Sequence, residues 1–317
     1  MEKSKDYKHL QFPKNDTSPF LQQTVELQFA VPWGHIAGKT WGDPCGQLVL
    51  CVHGIQDNAG SFDRLVPLLP SAFCYVCIDL PGHGCSSHFP EGLPLDFMDY
   101  VLALIRVLNH LRQDSCYYIG HSLGGQLGLY LCGLWPQRIK KLVLLDTIGP
   151  MHTETEIFLP LNKFLLDNVL STEERFSSKE SPNYTYKEAL DRLMTNRASK
   201  LTEEAARALI KRSLTRNSAG GSRFTTDQRL KMGLWVQLNE KQQLQVFNDI
   251  KCPILALLSA VPRSTAFKAM KKTFNFFLNK QNCQCIGMEG NHDVHMNNPE
   301  RVSPYIVTFL TTQKCAM

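Results

Sequence analysis

The sequence predicts an α/β fold with a mostly parallel central sheet, covering helices and one helical insertion. Three observations carry that reading. Short apolar runs recur between turn signals, helix-length segments separate the later runs, and the alternation breaks off between Ile148 and Trp235 before resuming.

Taken in order, residues 1–23 read as a flexible, polar N-terminus. Val25–Val31 and His35–Trp41, joined through Pro32-Trp33-Gly34, read as a hairpin, so the sheet is expected to begin antiparallel. Leu48–Val52, Phe73–Ile78, Cys116–Ile119, Lys141–Leu145, Ile254–Leu258 and Cys283–Ile286 are the further expected strands; Phe97–Leu111, Leu123–Trp135 and Thr265–Leu278 are helices between them. Residues 148–235 carry amphipathic helical patches, mixed charge from Glu173 to Arg216, a Gly220-Gly221 interruption and no obvious strand. Such an insertion reads as a helical cap over the strand ends, set in a core made of 24–147 and 236–317. Within it Phe158, Leu159 and Phe164 are expected to pack in the cap's own core rather than to line a pocket.

Composition narrows the function. Apolar residues make up 43% and charged residues 20% of the 317-residue chain, as in an ordinary globular protein. Lys+Arg 34 against Asp+Glu 29 gives a net charge of +5, spread along the chain without a basic block, so nucleic-acid binding is not expected. Met1 to Gln23 lacks the apolar core of a secretory signal, and no apolar run approaches the roughly 18 residues of a membrane span. The 11 cysteines are irregularly spaced and several, Cys51, Cys74, Cys77 and Cys252, fall inside strand-like runs. Free thiols in a reducing compartment fit better than a disulfide framework, which points to an intracellular, cytoplasmic protein. Cys74-x-x-Cys77 and Cys283-x-Cys285 are not read as metal or redox pairs, because both fall in strands, where residues three apart point to opposite faces.

The central motif is Gly120-His121-Ser122-Leu123-Gly124, between the strand ending at Ile119 and the helix starting near Leu123. A bare G-x-S-x-G arises by chance about 0.1 times in a chain of this length, so its setting matters more than its letters. A strand–turn–helix setting is what a nucleophile elbow requires: the glycines admit a strained turn that lifts the Ser hydroxyl clear of the sheet. The helix N-terminus favours a developing oxyanion. Ser122 is therefore the expected nucleophile.

A serine hydroxyl needs an adjacent base. His292, in Gly290-Asn291-His292-Asp293-Val294-His295 after the last strand, is the expected one, and His295 is assigned to packing or hydrogen bonding at the start of the next helix. The oxyanion needs two fixed backbone N–H groups, expected from Ile55, in the His53-Gly54-Ile55 turn, and from Leu123. Asp57 and Asn58 either shape the floor of a pocket or, the favoured reading, form a turn, and the Asp79-to-Ser87 loop, including His83, reads as structural.

The order His53-Gly54, Asp79-x-Pro-Gly-His-Gly84, Gly120-His121-Ser122-Leu123-Gly124-Gly125, Leu144-Leu145-Asp146 and Gly290-Asn291-His292 resembles the α/β-hydrolase superfamily. The finer details Val31-Pro-Trp-Gly-His-Ile36, His53-Gly-Ile-Gln-Asp-Asn-Ala59, Ser61-Phe62-Asp63-Arg64 and Gly-Asn-His-Asp-Val-His-Met296 are similar to the serine hydrolase-like proteins, relatives of the insect Kraken hydrolase. That likeness spans nearly the whole chain after Gln23. It implies the α/β-hydrolase fold, a hydrolase of undefined substrate, and an association with perinuclear vesicles or peroxisomes. The final Gln313-Lys-Cys-Ala-Met317 carries neither a peroxisomal tripeptide nor a Cys placed for prenylation.

Most of that superfamily place the triad acid after the strand that is here Ile254–Leu258, yet no Asp or Glu stands between Asp249 and Glu289. Asp146, at the end of the preceding strand, is a site some relatives use, and it keeps the order Ser, acid, His. The expected chemistry is hydrolysis of a small ester, thioester or related acyl substrate by Ser122, His292 and Asp146, with no metal or organic cofactor. The alternative is a weak or non-catalytic ligand-binding protein on a degenerate hydrolase fold, motivated by the missing acid. Dehalogenase and epoxide-hydrolase chemistry is set aside, because those relatives use a carboxylate where this chain has Ser122.

Overall fold

A computed structural model describes residues 24–178, 182–216, 220–259 and 270–312. The N-terminal stretch, the final tail and the first residues of the expected Thr265–Leu278 helix lie outside the described residues.

The core strands are β1 (Val25–Val31), β2 (Gly34–Gly42), β3 (Gln47–Val52), β4 (Phe73–Ile78), β5 (Cys116–His121) and β6 (Ile139–Leu145), then β9 (Ile254–Ser259) and β10 (Cys283–Met288) beyond the insertion. They form one 8-stranded sheet in the order β1-β2-β4-β3-β5-β6-β9-β10. β2 runs antiparallel to both its neighbours, and every other adjacent pair is parallel. The opening hairpin and the parallel remainder are as the sequence predicts.

Runs such as Leu48–Val52 and Leu142–Leu145 are apolar at every position because both sheet faces are covered. On one face Leu50, Val52, Val76, Tyr118 and Leu144 pack with α1 (Phe97–His110) and α2 (Leu123–Leu134), through Leu104, Val107, Leu127 and Leu131. On the other, Val49, Cys51, Tyr75, Ile119 and Val143 pack with Val302, Ile306 and Leu310 of the closing helix Pro299–Thr311. Cys74 and Cys77 belong to opposite faces, as expected. Cys283 and Cys285 do not: two apart on β10, they share a face, with their Sγ atoms 3.7 Å apart.

Between β6 and β9 the chain leaves the sheet for α3 (Phe158–Ser178), α4 (Tyr186–Thr195) and α5 (Glu203–Ser213), and then returns through α6 (Glu240–Asn248). Thr185 caps α4 with a reciprocal Glu188 contact, and Asn239 caps α6 with Gln242 in the same way. The inserted segment also contains two short antiparallel strands, β7 (Leu214–Arg216) and β8 (Ser222–Phe224), joined to Tyr184 by a bridge at Ser222. The sequence reading gave no strand there, because two three-residue pairs of mixed polarity carry no period-two signal. A second correction concerns α3. Phe158, Leu159 and Phe164 are 42%, 75% and 49% exposed, so they do not form a core; the insertion's apolar centre is Ala189, Leu190, Ala205 and Leu209, joined by Met296 from the far side of the sheet sequence.

Polar contacts at α5 are among those that fix the insertion to the core. Arg212 of α5 is buried, with Nη2 2.8 Å from Asp79 Oδ2 and Nη1 2.7 Å from Glu26 Oε1. Asn58, after β3, caps the turn Ala59–Phe62 and donates to Leu209 O and Ser213 Oγ of α5. Among the described residues no helix is long and apolar enough to cross a membrane.

Candidate active site

Ser122 sits at the junction of β5 and α2 with φ 48° and ψ −117°, a conformation that side-chain-bearing residues seldom adopt and that costs about 1–3 kcal/mol. The motif's glycines make that turn possible by close approach. A Cβ on Gly124 would lie 2.1 Å from Val52 O, and one on Gly120 2.5 Å from the Gly125 N atom. Ser122 N–H donates to Leu145 O at 3.0 Å and Ser122 O accepts from Gln126 N–H, so the strained residue is bonded on both sides. α2 starts at Leu123 and aims its N-terminal dipole at the turn.

His292 lies on the loop after β10, four residues past Met288, and the residue before Ser122 holds it in place. His121 donates from Nε2 to the His292 carbonyl at 3.0 Å, and the two rings are 4.7 Å apart. His292 Nδ1 donates to Asp146 Oδ2 at 2.5 Å, which leaves Nε2 as the free acceptor of the imidazole. Asp146 follows β6 and adopts φ 49°, another left-handed backbone. Its other oxygen accepts from Ser259 N–H at 2.6 Å and Ser259 Oγ at 2.7 Å. Ser259 ends β9, and no Asp or Glu stands between it and Glu289. Burial pushes the Asp146 carboxyl up, but the His292 and Ser259 hydrogen bonds outweigh it and the group lies below its ordinary value. For His292, burial works downward and Asp146 upward, and the imidazole lies above its ordinary value.

The turn after β3 holds Ile55 by buried histidines. His53 donates from Nδ1 to Gly54 O at 2.7 Å and accepts at Nε2 from Leu80 N–H at 2.9 Å. His83 donates to Pro81 O and accepts from Gln56 N–H at 3.0 Å, the amide next to Ile55. Burial, and then the charge of His53, pushes His83 down to about 3, so it stays neutral and keeps this acceptor role. Among the described residues nothing accepts a hydrogen bond from the N–H groups of Ile55 and Leu123.

Sequence reasoning missed several residues behind this site. Ser259 has no motif around it. Asp57 forms the expected turn through its N–H to Gly54 O, but its side chain is also fully buried against Arg197 at 2.7 Å. Asp57, His121 and Asp293 bring ligand-type atoms within 4.8 Å of one another, and the Arg197 guanidinium already supplies the cation there. His295 is buried at the start of the short helix Val294–Asn297, its ring 4.1 Å from that of His121, a packing position as expected.

A strained Ser at a strand–helix turn, a His after the last strand and this strand order define the α/β hydrolases as a class. The family model of the alpha/beta hydrolase fold matches residues 47–259, and the chain belongs to that family. Within it, the chain groups with the serine hydrolase-like proteins. It is 35% identical over 306 residues to the serine hydrolase-like protein of Danio rerio, covering 94% of this chain and 91% of that one. It is 36% identical over 304 residues to serine hydrolase-like protein 2 of Homo sapiens, covering 90% and 93%. Among solved structures, a hypothetical protein of Pseudomonas aeruginosa superposes with TM-score 0.78 at 25% identity, covering 90% of this chain and 97% of that one. A thioesterase domain from the curacin biosynthetic pathway superposes with TM-score 0.74 at 24% identity, over 90% and 99%, a likeness of fold.

Proposed function

We propose that this protein is a serine hydrolase acting on a small ester, thioester or related acyl substrate through an acyl-enzyme intermediate. Ser122 attacks the carbonyl while His292 Nε2 takes its proton and later returns it to the leaving group; Asp146 fixes the imidazole tautomer and offsets the imidazolium charge. The Ile55 and Leu123 N–H groups receive the oxyanion, with the α2 dipole behind the second. Water then releases the acyl group by the same steps in reverse order.

The observation that carries this reading is the 2.5 Å contact between Asp146 and His292, because it supplies the acid that the sequence lacks after β9. It counts against the alternative of a degenerate binding protein, which was motivated by the acid missing after β9. The inserted residues 148–235 act as a cap that selects the acyl group, so substrate size is expected to depend on them. The partner is a small molecule, and the setting intracellular.

Fluorophosphonate labelling of the purified protein tests the proposal, followed by turnover of p-nitrophenyl esters of increasing chain length. Labelling of the wild-type protein that is abolished in Ser122→Ala is expected. A folded wild-type protein that fails to label would overturn the enzyme reading in favour of ligand binding.

A further inference from the structure

Next in the chain to Ser122 and His292, at His121 and Asp293, lies a buried knot of charge that none of the steps above uses. Arg197, on the segment between α4 and α5, reaches into the core and spreads its guanidinium over two carboxylates. Nη1 is 2.7 Å from Asp57 Oδ1 and Nη2 is 3.3 Å from Asp293 Oδ1. The Arg197 side chain is 17% exposed and both aspartates 1%, so the group is shielded from solvent. Asp57 belongs to the turn that presents the Ile55 N–H. Asp293 follows His292 directly.

His121 fills the space between the two carboxylates, with Nδ1 3.7 Å from Asp57 Oδ2 and Nε2 3.8 Å from Asp293 Oδ1. Its Nε2 proton goes to the His292 carbonyl, so it cannot bridge the carboxylates itself. Among the described residues Arg197 is the side chain that hydrogen-bonds to both Asp57 and Asp293. The backbone beside it repeats the tie: Lys200 O accepts from Asn291 Nδ2 at 2.8 Å and Asn297 Nδ2 at 3.0 Å, and Thr202 N–H donates to Asn297 Oδ1 at 2.8 Å.

We propose that Arg197 is a positioning residue for the acyl-transfer reaction, clamping the oxyanion turn and the base loop to each other through its two nitrogens. The proposal rests on the assignment of Ser122, His292 and the Ile55 N–H given above. A planar fork is needed because two acceptors on separate loops must be held at once; an ammonium is a single point charge that favours one of them. The charged and titratable groups facing the knot are Asp57 and His53 from the turn after β3, His121 from β5, Asp146 from β6, Arg197 from the insertion, and His292, Asp293 and His295 from the segment after β10. Burial, and after it the Asp57 charge, lifts the Asp293 carboxyl to about 6 against the pull of Arg197. Two facing carboxylates with one guanidinium between them push apart when it is removed.

The test uses Arg197→Lys and Arg197→Gln in the full chain, with folding checked by thermal melting. Two readouts are taken: the rate and affinity constants for fluorophosphonate labelling, and the far-downfield NMR signal of the His292 Nδ1 proton, identified by its loss in Asp146→Asn. Arg197→Lys is expected to fold, to label about 10-fold more slowly at saturating probe and to keep its probe affinity within about 2-fold. The Nδ1 signal is expected to broaden or vanish in both variants as the base loop loosens. A slower rate with an unchanged signal also supports the clamp, through its Asp57 arm. If folded Arg197→Lys and Arg197→Gln label at the wild-type rate, the proposal is overturned. If the wild-type protein never labels, the acyl-transfer reading fails, and the Nδ1 signal still decides: its loss in the variants upholds the clamp on the base loop, and its persistence overturns it.

Discussion

At the residue scale, Asp146 shows how little of the proposed triad is local. Ser122 and His292 are legible because each sits in a short motif at a predictable strand end, and the glycines at 120 and 124 announce the turn. The pairing of His292 with Asp146 crosses 146 positions and depends on β6 and β9 ending side by side in the sheet, which no local pattern encodes. Ser259 gives less warning still: a lone Ser at a strand end has no signature, yet it donates twice to the carboxylate. Asp146→Asn is expected to slow probe labelling by about 10²- to 10⁴-fold, since an amide at that place no longer enforces the tautomer. A pH profile gives a second check. In the proposed reaction His292 acts as a base only when its Nε2 is unprotonated, and because its pKa is raised, the acid limb of wild-type labelling is expected above the ordinary 6.5. In Asp146→Asn the limb moves to lower pH, because burial, which lowers the pKa, then loses its main opponent.

At the scale of elements, the sheet was legible wherever apolar runs were continuous, because strands covered on both faces need no alternation to declare themselves. The short pair β7 and β8 was not, and neither was the outward face of α3. Leu159, Leu166 and Leu170 follow helical spacing as faithfully as a buried stripe, yet they are 75%, 55% and 61% exposed. Periodicity reports a common face and not what covers it. The elbow makes a sharper demand on its elements. Because a Cβ on Gly124 would fall 2.1 Å from Val52 O, α2 cannot approach β3 with any larger residue there. Gly124→Ala is expected to destabilise the protein by about 3 kcal/mol, measured by urea unfolding, and to slow labelling in whatever fraction folds.

At the scale of the molecule, the insertion is fastened to the loops after β3, β4 and β10 at named points and does not hang from two hinges. Arg212 is a buried one of them, and its loss would leave the buried Asp79 carboxylate without its cation. Arg212→Met is expected to cost about 3–5 kcal/mol in unfolding free energy, and Asp79→Asn added to it to recover part of that loss. The break in the alternation was readable from the sequence; the attachments of the segment were not, since each joins residues far apart in sequence. The position of the carboxylate has an evolutionary corollary. With Asp146 as the proposed acid, following β6 and bonded to the last residue of β9, no reacting group is required of the stretch after Ser259. Insertions, deletions and substitutions between residues 261 and 268 are thus expected to accumulate among descendants of this sequence without erasing labelling at Ser122. In such a lineage the connection that usually guards the acid is free to drift or to take on new duties.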